Sequence, residues 1–87
     1  MPYRVVRADS TPNPNAVKLI VEPSPGPSIR SYFNREQAAN DPLAAALFAI
    51  PGVTNVMIQP TFITVNKAAE HDWGPIRRAV ERVLADA

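Results

Sequence analysis

The sequence contains no cysteine, and this absence excludes several classes of function at once. A chain without thiols forms no disulfides, has no thiolate nucleophile, and cannot hold zinc or iron through cysteines of its own. Three glycines are too few for a glycine-rich phosphate-binding loop, and no Gly-x-Ser-x-Gly motif is present. Nine basic against eight acidic residues leave a net charge of +1, which gives no electrostatic basis for nucleic acid or an anionic membrane as a partner.

Long hydrophobic runs are also missing. No apolar segment approaches the ~20 residues that span a bilayer, and the N-terminus lacks the apolar segment of a signal peptide. Hydrophobic residues make up 46% of the chain and charged residues 20%, proportions that are ordinary for a globular protein. We therefore expect residues 1–87 to form one cytoplasmic domain.

Proline, by contrast, is abundant: ten residues, most of them between segments with a regular pattern. Residues 3–8 and 17–22 have the composition or the alternation of β-strands. The loop at 11–15, stiffened by two prolines, is expected to join them as antiparallel neighbours. A proline-rich turn at 23–28 then precedes a third strand, predicted at 29–33 on a sheet edge.

Two helices are predicted in the middle of the chain. Asn34, followed three residues later by Gln37, has the spacing of a capping box and predicts a short helix. Asp41 before Pro42 combines an N-cap acceptor with proline at the first helical position, which predicts a second helix. That helix is apolar almost all round and is therefore expected to be buried, ending at 51–52.

The last third of the chain predicts a hairpin and a helix. Residues 53–59 and 62–67 are rich in β-formers and flank a short turn. Asp72 is expected to cap a final helix whose apolar residues recur every three or four positions. The predicted fold class is α+β, a mostly antiparallel sheet with helices packed on one face, in the order β-β-β-α-α-β-β-α.

His71 is the only histidine, and it lies between Glu70 and Asp72. A carboxylate could orient the imidazole as a general base, or the three side chains could hold a metal ion. Both arrangements are common near the start of a helix without any such role, and Asp72 is already expected to act as a cap. We therefore expect no catalytic residue, no metal ligand and no cofactor.

The loop Thr-Pro-Asn-Pro-Asn at 11–15 is the least generic feature of the sequence. Asparagine side chains often satisfy nearby backbone groups, so the loop could simply brace a turn. A stiff loop could equally form a binding rim that loses little entropy when a partner docks. The residues predicted to contact a partner are Thr11, Asn13 and Asn15 in the loop, with Arg30 and Lys67 as further candidates.

Five sequence blocks together resemble one protein family. They are Thr-Pro-Asn-Pro-Asn-Ala-x-Lys at 11–18, Asp-Pro-Leu at 41–43, Leu-Phe-Ala-Ile-Pro-Gly-Val at 47–53, Phe-Ile-Thr-Val-x-Lys at 62–67 and Asp-Trp at 72–73. The chain resembles, over about residues 3–85, the N-terminal domain of Nfu-type (NifU-like) iron–sulfur cluster scaffold proteins. This resemblance implies an α+β fold and a role near iron–sulfur cluster assembly or delivery.

One departure from the family matters for function. In two-domain members a Cys-x-x-Cys motif in a second domain holds the cluster, and this sequence has no cysteine to match it. The resemblance therefore implies a stand-alone domain: a non-enzymatic accessory or interaction module that does not hold a cluster. Its expected partners are scaffold, carrier or client proteins of the iron–sulfur pathway.

Two alternatives remain open at this point. One is a peptide- or ligand-binding domain unrelated to cluster assembly, in which the edge at 29–33 accepts an extended peptide. The other is an enzyme centred on His71, which would need a deep pocket with a second titratable group.

Overall fold

The computed structural model describes residues 3–86, which form a five-stranded antiparallel sheet and two helices. The strands are β1 (Arg4–Ser10), β2 (Ala16–Glu22), β3 (Arg30–Tyr32), β4 (Val53–Ile58) and β5 (Phe62–Lys67). The helices are α1 (Pro42–Phe48) and α2 (Trp73–Asp86). Across the sheet the strands run in the order β1-β2-β5-β4-β3, so β1 and β3 are its two edges. The predicted α+β class is confirmed.

The core lies between one face of the sheet and the two helices. Buried strand side chains alternate with more exposed ones, and the register aligns them across neighbouring strands: Leu19, Val21, Val56, Ile58, Ile63 and Val65. Helix α2 contributes Ile76, Val80 and Leu84, spaced four residues apart on one side. Each such side chain contributes roughly 1.5–3 kcal/mol relative to an exposed position. Further strand side chains, among them Val17 and Tyr32, are partly buried against the same core.

The short helix predicted from Asn34 is wrong. The Asn34 side chain does accept the Gln37 N–H at 2.8 Å, as the capping-box spacing indicates. Residues 35–40 nevertheless form successive turns closed by bonds between residues three apart. Pro42 holds Asp41 in an extended conformation (φ −115°, ψ 102°), so the chain must leave any helical path before it. The order of elements is therefore β-β-β-α-β-β-α.

Other joints lie where the sequence predicted them. Asp41 is the N-cap of α1, and its side chain accepts the Ala44 N–H. The turn between β4 and β5 is closed by the Gln59 N–H, which donates to the Phe62 carbonyl at 2.8 Å. Pro75 is the third residue of α2, where its missing N–H costs little. Within residues 3–86, neither helix has the length and apolarity that crossing a membrane requires.

Candidate functional site

The loop between β1 and β2 is braced by its own side chains. The Thr11 hydroxyl donates to the Asn13 carbonyl at 2.8 Å and accepts the Asn13 N–H at 3.2 Å. The Asn13 Oδ1 then accepts the Asn15 N–H at 2.9 Å, a local turn typical of asparagine. The Ala16 N–H closes the loop on the Asn13 carbonyl at 3.0 Å. The loop is therefore ordered before anything docks on it.

Two residues that are distant in sequence hold this loop against the fold. Lys67, at the end of β5, donates its N–H to the Asn15 carbonyl at 2.8 Å and its Nζ to the Asn15 Oδ1 at 3.0 Å. The Trp73 Nε1 donates to the Pro14 carbonyl at 2.9 Å. The Lys67 Nζ also lies 5.6 Å from the centroid of the Trp73 ring, within cation–π range. We call residues 11–15 with Lys67 and Trp73 the loop platform.

The loop platform borders a shallow surface hollow of about 320 Å³. Its lining includes Ser10, Thr11, Asn13, Pro14, Trp73 and Arg77, from the end of β1, the loop and the first turns of α2. The Asn13 residue is exposed, and its Nδ2 donates to no atom within residues 3–86. A partner could therefore contact the Asn13 amide, the Trp73 indole and the Arg77 guanidinium, which lie around a hollow that accepts a side chain.

Arg30, the fifth predicted contact residue, lies apart from the other four. Its Nη1 donates to the Asp41 Oδ2 at 2.6 Å, and its Nη2 donates to the Pro25 carbonyl at 3.0 Å. The Tyr32 hydroxyl donates to the same Asp41 oxygen at 2.9 Å, while the Asp41 Oδ1 accepts the Ala44 N–H at 3.3 Å. We call Arg30, Tyr32 and Asp41 the Asp41 cluster. It ties β3 to the start of α1.

Asp41 is only 7% exposed, and each of its carboxylate oxygens has a donor. Its hydrogen bond raises the pKa of the Tyr32 hydroxyl, and burial and the negative charge of Asp41 raise that pKa further; Arg30 opposes them in part. The sequence identified Asp41 only as a helix cap. The alternation of Arg30 and Tyr32 on one side of a strand was the pattern that could have revealed the cluster.

His71 packs against the backbone of Gly52. A Cβ added at Gly52 would lie 2.7 Å from the His71 Cγ, and Gly52 has φ +97°, which favours glycine. The His71 N–H donates to the Ala68 carbonyl at 3.1 Å. A hollow beside the ring is also lined by Glu70 and Asp72. These contacts give His71 a packing role at the turn before α2.

The donor set of this chain does not fit an iron–sulfur cluster. Such clusters are held mainly by cysteine thiolates, sometimes with histidine, and the sequence supplies no cysteine and one histidine. Within residues 3–86, His, Asp and Glu side chains nowhere gather in a group of three that could hold a metal ion. A cluster handled by this protein would need thiolates from another chain or another domain.

Comparison with known proteins agrees with the resemblance of the sequence blocks. Residues 6–87 match the family described as "Scaffold protein Nfu/NifU N terminal". A NifU-like protein of Schizosaccharomyces pombe is 34% identical over 88 residues, which cover 93% of this chain and 32% of the relative. The mitochondrial NFU1 iron-sulfur cluster scaffold homolog of Homo sapiens is 34% identical over 90 residues, covering 97% of this chain and 34% of the relative. The chain spans about a third of the length of these relatives.

Solved structures share the fold. A NifU-like protein from Saccharomyces cerevisiae superposes with a TM-score of 0.78 at 26% identity, covering 92% of this chain and 74% of that chain. A crystal structure of a Staphylococcus aureus protein also gives a TM-score of 0.78, at 22% identity, covering 92% of this chain and 96% of that chain. The second likeness supports the fold alone. Since the family match extends from residue 6 to residue 87, this chain belongs to the Nfu/NifU N-terminal family.

Proposed function

We propose that this chain is a non-enzymatic accessory domain that contacts other proteins during iron–sulfur cluster assembly or delivery and does not itself hold the cluster. Family membership supports the biological setting, since the Homo sapiens relative is named an iron–sulfur cluster scaffold homolog. The absence of cysteine supports a role in contact rather than in cluster ligation. The observation that carries the proposal is the preformed loop platform.

A preformed loop suits protein recognition for a thermodynamic reason. Ordering a flexible backbone costs roughly 1–2 kcal/mol per residue, and a loop that is already ordered avoids that cost on binding. Pro12 and Pro14 restrict the backbone, and the bonds from Lys67 and Trp73 fix the loop on the fold. Tryptophan near the centre of a contact surface is also a frequent energetic anchor.

The proposed partners are scaffold, carrier or client proteins of the iron–sulfur pathway. They would supply the thiolates that this chain lacks. Thr11, Asn13, Asn15 and Lys67 are the proposed contact residues because they lie together at the loop platform, whereas Arg30 lies apart from them in the Asp41 cluster. A cytoplasmic location stays a prediction, since the Homo sapiens and Arabidopsis thaliana relatives are named mitochondrial.

The substitution Asn13→Asp distinguishes a loop that contacts a partner from a loop that only braces the turn. The aspartate keeps an oxygen that accepts the Asn15 N–H, so the turn should persist, but it replaces the exposed amide with a negative charge. We expect affinity capture from native cells, read by quantitative mass spectrometry, to recover cluster-assembly proteins with the unmodified chain. Asn13→Asp should lower that recovery about fivefold, the effect of about 1 kcal/mol, at unchanged thermal stability.

The matched control is Asn40→Asp, the same substitution at an exposed asparagine outside the loop platform. It should leave recovery unchanged. Equal recovery with Asn13→Asp would assign the loop to bracing alone, and capture without any cluster-assembly protein would refute the proposed setting. The second result would favour the alternative of a peptide- or ligand-binding domain, for which the edge strand β3 remains the candidate site.

A further inference from the structure

The two edges of the sheet are protected to very different degrees. An edge strand exposes unpaired backbone groups, and proteins commonly blunt such edges with charges or bulges. The β1 edge has both: Arg4, Arg7 and Asp9 are charged, and the register shifts between Val5 and Arg7. The Tyr3 N–H at its start also donates to the Leu84 carbonyl of α2 at 2.7 Å. This edge is therefore poorly suited to pairing with another strand.

The β3 edge carries neither a bulge nor an unpaired charge within the described residues, although the Phe33 N–H at its end already donates to the Gln37 Oε1 at 2.8 Å. Its three pairs with β4 run without a register shift, and its one charged side chain, Arg30, is turned to Asp41. Ile29 and Phe33, which flank the strand, are 67% and 66% exposed and are the two most exposed large hydrophobic residues among residues 3–86. The strand is short, which limits its reach, but its neighbours are apolar where a blunted edge would be charged.

We propose that β3 pairs with β3 of a second copy of this chain, antiparallel, about a two-fold axis at Ser31. In that register Ile29 lies opposite the partner's Phe33, and Phe33 lies opposite the partner's Ile29. Because side chains of an antiparallel pair share a face when they are directly opposite, both contacts form on the side of the sheet away from the helices. Arg30 lies opposite the partner's Tyr32 on the other face.

A second copy fits this edge for reasons of charge and pattern. Between residues 27 and 34 the chain carries only one charged side chain, Arg30, and Asp41 neutralises it. Two copies therefore meet without electrostatic repulsion, whereas a charged partner strand would find no opposite charge to pair with. The sequence Ile-Arg-Ser-Tyr-Phe also places a large apolar residue two positions to each side of Ser31. A surface that is complementary to itself is what a two-fold interface requires.

The small area of the proposed β3–β3 contact predicts weak self-association. A three-residue strand with two apolar cross-strand pairs is far smaller than a standard interface, which favours a transient dimer with Kd on the order of 0.1 mM. The contact does not involve the loop platform, so it goes beyond the proposed function. A failure of the dimer proposal would leave the proposed function standing. Sedimentation equilibrium from low micromolar to about 1 mM protein covers the range that matters.

Opposite charges introduced at the two ends of the strand test the proposed register itself. Ile29→Lys and Phe33→Glu should each weaken self-association about tenfold, because each places an unpaired charge opposite an apolar side chain at both ends of the strand. An equimolar mixture of the two variants should restore association. In the mixed dimer one end pairs the new lysine with the new glutamate, and the other end keeps Ile29 opposite Phe33.

Val6→Lys is the matched control, since Val6 is also an exposed large hydrophobic residue, 50% exposed, but lies on β1. It should leave the dimer unchanged, and its mixture with Phe33→Glu should associate no more than the average of the two variants measured alone, because Val6→Lys supplies no charge opposite the new glutamate. A monomeric parent chain at about 1 mM would overturn the proposal. So would undiminished association of Phe33→Glu, or single variants that weaken the dimer while their mixture does not restore it.

Discussion

Replacing Asp41 with alanine should destabilise this fold more than any single cap substitution does. Asp41 accepts bonds from three donors: the Ala44 N–H, the Arg30 guanidinium and the Tyr32 hydroxyl. Alanine removes all three acceptors together. It also leaves a half-buried guanidinium facing an apolar position and a tyrosine hydroxyl without its acceptor.

Three contacts contribute to the free energy of unfolding that Asp41→Ala would lose. Loss of an N-cap acceptor costs about 1 kcal/mol. A hydrogen bond to a charged acceptor contributes about 1.5–3 kcal/mol, which we apply at its lower end to the hydroxyl of Tyr32. The ion pair with Arg30 adds about 1 kcal/mol, because the guanidinium is still partly in contact with water. The expected loss is about 3–4 kcal/mol, a large share of the roughly 4–13 kcal/mol expected for a chain of this length.

Urea unfolding followed by far-ultraviolet circular dichroism measures this loss. Asp41→Asn is the matched variant, because its side-chain oxygen can still accept the Ala44 N–H while the negative charge is gone. We expect Asp41→Asn to retain the cap and to lose about 2 kcal/mol. In a Tyr32→Phe background, Asp41→Asn should cost less, because the hydroxyl contact is already absent. A loss of no more than about 1 kcal/mol for Asp41→Ala would refute the reasoning and leave Asp41 as a cap only.

Two further predictions concern Gly52 and Tyr32. Gly52→Ala should cost about 2 kcal/mol or more, because alanine is strained at φ +97° and its Cβ meets His71. Gly26→Ala (φ +137°) should cost about 1 kcal/mol, because the nearest atom to its new Cβ, the Arg30 Nη2, lies at an ordinary contact distance of 4.0 Å. Thermal unfolding should also show that His71→Ala recovers part of the Gly52→Ala loss, and additive losses would contradict the clash. The pKa of Tyr32 is raised in the folded state, so the contribution of its hydroxyl to the free energy of unfolding is complete below the ordinary tyrosine pKa of 10.0 and is lost as pH rises through the folded-state value. Urea unfolding across that range should show that Tyr32→Phe loses less stability at alkaline pH than the parent chain does. An identical loss in both would contradict the prediction.

Most of the sheet could be predicted from the sequence because its determinants are local. The alternation in β2 and the Asp41–Pro42 pair each act within a few residues, and both appear in the structure as expected. Residues 35–40 could not be predicted in the same way. The bond between Asn34 and Gln37 favours a helix locally. Pro42 nevertheless holds Asp41 in an extended conformation, so a helix started at Asn34 could not continue into α1.

The candidate site was predictable only in part. Thr11, Asn13 and Asn15 stand out because prolines separate them, but the sequence does not reveal what holds the loop in place. Lys67 and Trp73 reach it from 52 and 59 positions away in sequence, through contacts that exist only after the sheet forms. From the sequence, Trp73 belongs to the Asp-Trp block at 72–73 and to the apolar stripe of the last helix, and neither pattern predicts a contact with the loop. Its indole N–H, which needs a partner when half-buried, is the chemical reason for its second role.

The Asp41 cluster also determines what the β3 edge can do. By drawing Arg30 to the helix side, Asp41 removes the one charge that would otherwise discourage pairing at this edge. Since side chains alternate along a strand, the same orientation directs Ile29 and Phe33 away from the core, which agrees with their high exposure. A contact that stabilises the fold from within therefore leaves an uncharged, apolar edge outside. In this way a stabilising cap and a candidate dimer surface have one structural cause.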